Sequence, residues 1–304
     1  MRNCASHMQE LEPLIDEALA RRLLSSQFPH WADLHIQRVA KQGWDNRTFR
    51  LGEQLLMRLP SAEAYASQVE REHEWLPVLD PHLDLQIPEP VALGQPEHGY
   101  PWKWAVYRWI EGESASPELI PSLPEFAATL GRFLRQMHGV SSANGPPPGA
   151  HNFHRGGSLL MYDEESRSAV AALAGKVDCD RANAVWQAAT QTRWTARPVW
   201  VHGDLSLGNL LMADGRVGAV IDFGQMCAGD PACDLAIAWT LFRGESREVF
   251  KSTLGLDADT WNRGRGWALW KAVIVAAGMA ETNAVEGQQC WQTIEEVLAD
   301  HERA

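Results

Sequence analysis

The stretch VHGDLSLGNLLMADGRVGAVIDFG, residues 201–224, is the most informative part of the chain. It sets His202, Asp204, Asn209 and Asp222 among apolar residues, with Asn209 five places after Asp204 and Asp222 thirteen after Asn209. Residues 204–209 read as a turn that follows a strand, and residues 217–221 read as a second strand that delivers Asp222 directly before Phe223-Gly224. Two adjacent strands of this kind bring the Asn and the second Asp to one place. A carboxamide oxygen and a carboxylate suit a hard cation, and Mg²⁺ is the one that commonly keeps waters and binds substrate phosphates. Asp204 lies close to such an ion without having to ligate it, and a carboxylate there can accept a hydroxyl proton and aim a nucleophile.

Outward from this stretch the pattern is that of an α+β chain. Leu11, Leu14, Ile15, Ala18 and Leu19 recur at helical spacing and predict a helix over Glu12–Ser25. Strand-like runs follow at 34–40, 46–52 and 54–60, the last two joined by a tight hairpin at Gly52-Glu53, then a helix from about Tyr65 to Leu79 and strands near 91–95 and 104–110. After Glu111-Gly112-Glu113 the character turns helical, beginning with Leu123, Phe126, Leu130, Phe133 and Met137 on one face. The Pro/Gly-rich segment SSANGPPPGAHNFHRGG, 141–157, reads as a long loop lying over something. Two short strands, PVWVHGD and RVGAVIDFG, bracket the opening motif, and helices dominate from Ala232 onward. The expected architecture is a small N-terminal antiparallel sheet with a helix, residues 1–107, and a larger, mainly helical part, residues 108–304, joined at about 107–112. A cleft between two such parts is a natural ligand site.

Composition narrows the function classes. The chain has 304 residues, 45% apolar and 22% charged, which is ordinary for a globular protein of one large or two smaller domains. With 27 basic and 39 acidic residues the net charge is −12, which argues against a nucleic-acid partner and is compatible with a cationic small molecule or with solubility alone. Five cysteines, an odd number with no CxxC pair and no accompanying His cluster, argue against a disulfide framework or a structural zinc and for a reducing, cytoplasmic compartment. The first ten residues lack the apolar core of a signal peptide, and the longest apolar run, AVIVAAGMA at 272–280, is too short to span a bilayer. Fourteen Trp is a high count, divided between core filling and the lining of a binding site.

The Asp-x4-Asn spacing followed by Asp-Phe-Gly is the catalytic-loop pattern of protein kinases. With His-Gly-Asp in place of His-Arg-Asp, and with GDPACDLA at 229–236, residues 201–236 resemble the aminoglycoside phosphotransferase family, which includes kinases of antibiotics, choline, homoserine and fructosamines. The resemblance implies a two-lobed, protein-kinase-like fold, Mg²⁺, and ATP or GTP as co-substrate. It makes Asp204 the catalytic base, Asn209 and Asp222 the metal ligands, and His202 and Asp234 supports of the catalytic loop.

Other matches extend the resemblance along the chain. Where the family has a Lys on the third strand, this chain has Arg58, a departure, since Arg binds phosphate with different reach and geometry; Lys41 is the only nearby Lys. The Glu that should hold this cation is Glu72: it lies three after Val69 and four before Leu76 on the apolar stripe of its helix, and the alignment through VERE, 69–72, selects it as well. The turn KQGWDNRTF has one glycine, and Gly43, Trp44 and Asn46 either lie near phosphate or, for Trp44, pack locally. By the resemblance the carbonyl of Arg108 and the amide of Ile110 hold the adenine. Asp230 either braces the loop, faces the acceptor or simply caps the helix that starts at Pro231.

On this reading the chain moves a phosphoryl group from a nucleoside triphosphate to a small-molecule hydroxyl. Acceptor-side elements are 151–165, which includes His154, and 262–270, where Arg263 and Arg265 suit an anionic or neutral acceptor unless they pair with nearby acids. A polycation would instead use Asp163, Glu164, Glu165, Asp230, Glu281 or Glu286. An aminoglycoside-type antibiotic is the first expectation for the acceptor, an endogenous sugar or amino alcohol the second, and an inert nucleotide-binding scaffold the third.

Overall fold

A computed structural model of the chain describes residues 14–40, 42–280, 282 and 284–303, with the side chains of 284–286 outside the description. Leu11, Glu12, Lys41 and Glu281, and the side chain of Glu286, therefore lie outside the described residues. Two compact units form, one from residues up to 76 together with 89–109, the other from 77–88 together with 110 onward.

The first unit holds α1 (Glu17–Gln27), β1 (Ile36–Arg38), β2 (Asn46–Leu51), β3 (Leu55–Pro60), most of α2 (Gln68–Leu79), β4 (Pro90–Gly94) and β5 (Trp104–Arg108). The five strands make one antiparallel sheet in the order β1-β2-β3-β5-β4. Alternation along β3 decides what each face does. Leu55, Met57 and Leu59 join Phe49, Leu51, Trp104 and Val106 in a core with Leu19, Leu23 and Leu24 of α1, and each such buried side chain contributes about 1.5–3 kcal/mol. Arg58 is on the opposite face, that of Leu56. The α1 helix begins at Glu17 rather than Glu12 because the Asp16 carboxylate caps the Leu19 amide at 2.8 Å. Tyr65 belongs to a separate 3₁₀ turn, Glu63–Tyr65, so α2 starts three residues later than its apolar pattern suggests. The first strand is confined to three residues, and β5 stops at Arg108, two residues short of Ile110.

The second unit contains β6 (Glu113–Ser114), α3 (Leu123–Gly139), α4 (Asp163–Ala172), α5 (Cys179–Thr190), β7 (Val199–Val201), β8 (Leu210–Ala213), β9 (Arg216–Val220), β10 (Cys227–Gly229), α6 (Ile237–Thr240), α7 (Gly244–Leu254), α8 (Ala258–Ala276) and α9 (Ala284–Arg303). Helix α8 is buried on nearly all sides, packing against α9, α5 and the 3₁₀ segment Pro231–Ala236, while α3 packs on α7. Trp186, Trp200, Trp239 and Trp267 are all fully buried in this unit, so most of the tryptophan here fills core. Charge is buried too: Asp300 of α9 accepts from Arg247 of α7 at 3.2 Å, from Arg265 of α8 at 2.7 Å and from the Trp239 indole at 3.1 Å. A buried ion pair stabilises only when its polar atoms are satisfied in this way.

Two small sheets carry the motif. The strand foreseen at PVWVHGD is only β7, and it pairs with β10 rather than with the strand that leads to Asp222. That partner is β8, which was not foreseen; β8 and β9 form a hairpin, with β6 on its outer edge and Gln86 bridging to Ala219. The segment 141–157 lies on the β7–β10 pair: Pro146 accepts the Ala228 amide at 2.8 Å, and the buried Asn152 amide donates to the carbonyls of Arg155 and Gln225 at 3.0 and 3.1 Å. No described helix is long and apolar enough to cross a membrane.

Candidate active site

In the second unit, β7 runs out at Val201 and the chain turns sharply through His202-Gly203-Asp204. Gly203 has φ +85, and a Cβ at this position would lie 2.5 Å from the Gln225 carbonyl, so only glycine fits. The turn is held from below by Asp234, whose two carboxylate oxygens accept the backbone N–H groups of His202 and Gly203, each at 2.8 Å. Asp234 is fully buried in the 3₁₀ segment that Asp230 caps by accepting the Ala232 amide. Burial pushes the Asp234 carboxyl above its ordinary range, against the opposing pull of His202 and the two amide donors.

His202 is fully buried against the Phe223 ring, centroids 4.6 Å apart. Its Nδ1 accepts the Asp204 amide at 3.2 Å, so Nε2 carries the proton and donates to the Ile221 carbonyl at 3.0 Å. Both ring nitrogens are thus engaged. The imidazole links the backbone at Asp204 to the backbone just before Asp222.

The β8–β9 hairpin closes the arrangement. Asn209 is the last residue before β8, Asp222 follows two residues after the end of β9, and the Ile221 amide donates to the Asn209 carbonyl at 2.9 Å. The Asn209 amide nitrogen donates to the Asp204 carbonyl at 2.8 Å and to the Asp204 carboxylate at 3.2 Å, which assigns its Oδ1 to the other side of the group. Asp222 has φ +66, a left-handed conformation that Asp and Asn tolerate better than most residues. Asp204, Asn209 and Asp222 are all half-buried. The site therefore offers one carboxylate tied to an amide, one carboxamide oxygen and a second carboxylate, a set of hard oxygen donors that fits a Mg²⁺ ion.

In the first unit, Arg58 and Glu72 meet across the sheet–helix interface. Nη1 of Arg58 lies 2.8 and 2.9 Å from the two Glu72 oxygens, and Glu72 has no exposed surface. Tyr107, which sequence reasoning missed inside the apolar strand WAVYR, donates its hydroxyl to the same carboxylate at 2.5 Å. Gly43 is exposed, and Trp44 is 60% exposed with its carbonyl accepting from Ser61 Oγ. Asn46 is 3% exposed, and neither Nδ2 nor Oδ1 has a hydrogen-bond partner among the described residues. Arg108 is exposed at the end of β5, opposite Leu55 and 3.7 Å from Glu89; Ile110 belongs to the second unit and is buried.

Of the expected acceptor-side charges, Glu164 is exposed, while Arg263, Arg265, Asp230, Asp163 and Glu165 are engaged within the fold. Arg263 does not face outward: Nε lies 2.6 Å from Asp230, Nη1 donates to Thr192, and Nη2 reaches Asp230 and Thr260. Both members of this pair are buried, and desolvation raises the Asp230 carboxyl against the pull of Arg263. Arg265 pairs with Asp300, Asp163 accepts from Arg167 and the Trp186 indole, and Glu165 accepts from the Trp270 indole at 2.6 Å. His154, with φ +52, has its amide and carbonyl in the turn that closes on Gly149 and Gly157. Asn152, which has no local sequence signal beyond its Pro/Gly-rich surroundings, is the residue that ties this loop to Gln225 and thus to the Gly203 turn.

Comparison with known proteins bears on the family and the fold. The model of the phosphotransferase enzyme family matches residues 36–267. An aminoglycoside 3'-phosphotransferase of Escherichia coli is 40% identical over 76 residues, which make up 22% of this chain and 28% of that protein, so the match spans under a third of the relative. The GDP and kanamycin complex of APH(2")-IIia superposes with a TM-score of 0.69 at 18% identity, covering 93% of this chain and 99% of the other. The macrolide 2'-phosphotransferase MphH from Brachybacterium faecium gives a TM-score of 0.57 at 19% identity, with 92% and 98% covered. At such identities the superpositions speak for the fold, which is of the α+β, protein-kinase-like class. With the family model matched over most of its length, the chain belongs to the phosphotransferase enzyme family.

Proposed function

We propose that this protein moves the γ-phosphate of ATP or GTP to a hydroxyl of a small-molecule antibiotic, in the first instance an aminoglycoside. The observation that carries the reading is the Asn209 side chain bonded to Asp204 while the Asn209 carbonyl accepts the Ile221 amide, one residue before Asp222, with the Asp204 turn pinned by Asp234. Asp204 orients the acceptor hydroxyl and takes its proton as the new bond forms. Asn209 and Asp222 hold Mg²⁺, which neutralises phosphate charge when bound. Arg58, steadied by Glu72, orients the nucleotide phosphates, so the first unit is the nucleotide-binding lobe and the second the catalytic and acceptor-binding lobe. Gly43, Trp44 and Asn46 contribute to the nucleotide side, as do the backbone groups of Arg108 and Ile110. Catalysis of this kind is positioning and charge stabilisation.

The antibiotic assignment draws on the names of the relatives, one an aminoglycoside and one a macrolide enzyme. A net charge of −12 suits a polycation. One observation favours the second reading, an uncharged sugar or alcohol from metabolism: Asp230, Asp163 and Glu165, which would attract a polycation, are already paired. A nucleic-acid partner does not fit the charge, and a cytoplasmic setting fits the reduced cysteines.

The test is mass spectrometry of a mixed panel of aminoglycosides, macrolides, sugars and amino alcohols incubated with the protein, Mg²⁺ and either ATP or GTP. A single phosphate added to an antibiotic supports the first reading, and one added only to a metabolite moves the protein to the second. Asp204→Asn and Asp222→Asn each remove turnover while melting curves stay unchanged. Asn is chosen at 222 because it accepts the left-handed backbone there. Near-normal rates in either variant would overturn the assignment.

A further inference from the structure

Trp267 and Trp270 stand three residues apart on α8, so they share one face of that helix. Their rings meet edge to face with centroids 5.6 Å apart, and Tyr162 stacks on Trp270 at 4.0 Å. The loop 141–157 sets Arg155 against both indoles, its Cζ 4.8 Å from the Trp270 ring centroid and 5.3 Å from that of Trp267. A guanidinium that stacks by its face leaves its edge N–H groups for bonding in the plane, the geometry that matches a carboxylate or a phosphate.

The hydrogen bonds of this cluster leave two donors over. The Trp270 indole donates to Glu165 and the Tyr162 hydroxyl to the Phe153 carbonyl, each at 2.6 Å. Nε of Arg155 and Nε1 of Trp267 are both buried and have no acceptor among the described residues, and Trp267 is only 1% exposed. No described carboxylate pairs with Arg155 either. Glu165 is engaged by Trp270, and Asp230, whose amide donates to the Gly156 carbonyl, is engaged by Arg263. A cation and a second donor that both lack an acceptor cost stability until one arrives from outside. The backbone beneath them is fixed: the Arg155 carbonyl accepts from Asn152 Nδ2 at 3.0 Å and from Cys227 Sγ at 3.1 Å. The same Asn152 nitrogen donates to the Gln225 carbonyl that abuts Gly203, so one amide separates the Arg155 backbone from the turn leading to Asp204.

We propose that Arg155 and the Trp267 indole form a binding site for an oxyanion, the carboxylate or phosphate of a small molecule. The guanidinium edge supplies the charge, the indole N–H a further hydrogen bond, and the two rings hold the guanidinium in place. Arg155 is itself partly exposed, which gives the ligand access. The site goes beyond the phosphotransferase reading and does not depend on turnover. A polycation has no group for it, whereas an acidic sugar carries both an oxyanion and hydroxyls.

The experiment is a titration of the isotope-labelled full chain with inorganic phosphate and, separately, with gluconate, at an ionic strength held constant with chloride. The indole N–H resonances are followed by NMR, and Trp267→Phe identifies the Trp267 signal. That signal is expected to shift and to saturate at roughly millimolar concentrations of at least one of the two anions. Arg155→Met should weaken this binding by roughly tenfold or more. Where Arg155→Met does not fold, Arg155→Lys takes its place, since a point charge without the planar edge should also bind more weakly. Tighter binding of gluconate assigns the site to carboxylates, and tighter binding of phosphate assigns it to phosphates. A Trp267 signal that stays still up to about 50 mM of both anions, or that responds with the same affinity in the Arg155 variant, would overturn the proposal. Neither nucleotide nor turnover enters the measurement, so its failure and the failure of the phosphotransferase reading are separate results.

Discussion

Replacing Asp234 with Ala removes both acceptors beneath the His202-Gly203-Asp204 turn at once. The carboxylate receives the His202 and Gly203 amides at 2.8 Å each, in a place with no exposed surface. A buried N–H left without a partner costs about 1–3 kcal/mol, so two of them cost about 2–6 kcal/mol. The cost of burying the carboxylate disappears in the same variant, which places the net loss toward the lower half of that range. For a unit of this size each kcal/mol lowers the melting midpoint by roughly 2–4 °C. Asp234→Asn keeps one acceptor oxygen and should lose about half as much. The assay is urea unfolding followed by tryptophan fluorescence, since four fully buried indoles report on the second unit, together with hydrogen exchange at the His202 and Gly203 amides. An Asp234→Ala protein that loses under about 0.5 kcal/mol and keeps both amides protected would refute the bracing role.

Two further outcomes follow from buried groups. Arg263→Met leaves Asp230 buried without its guanidinium and should destabilise by about 3–5 kcal/mol, whereas the double change Asp230→Leu with Arg263→Met should recover most of it; urea midpoints of the three proteins at pH 7 check this. His138 is held down to about 4 by burial, and its Nε2 has no partner among the described residues. Its folded value lies below its unfolded one, so it takes up a proton more readily when unfolded. Stability is therefore full above about pH 6.5 and falls as pH drops toward 4; a His138→Phe protein should lack that part of the decline, seen by comparing unfolding midpoints across the interval.

The parts of the site that depend on local order were legible in the sequence. Glu72 falls on the apolar stripe of its helix, and three- and four-residue spacing is enough to turn it inward toward the sheet. Asn209 and Asp222 flank one hairpin, so their meeting follows from a short connection. Even the unforeseen β8 had a signal, Asp214-Gly215, both with positive φ, the turn residues of a tight hairpin. What stayed hidden depends on residues far apart in the chain. The β7–β10 pairing joins strands that both look like parts of other elements, and it puts the His202-Gly203-Asp204 turn off the hairpin sheet. Asp230 and Arg263 are 33 residues apart, and neither periodicity nor capping rules could pair them. Tyr107 sits in a run of apolar strand residues, where only its register with β3 shows that its hydroxyl faces a buried acid.

The Asp300 junction gives the second unit an order in time. During synthesis Arg247 and Arg265 leave the ribosome before Asp300 exists, 53 and 35 residues ahead of their partner. Until α9 is made, Arg247 and Arg265 lack the Glu296 and Asp300 carboxylates that satisfy them in the folded unit, so these ion pairs, and the stability that depends on them, are gained only when α9 joins α7 and α8.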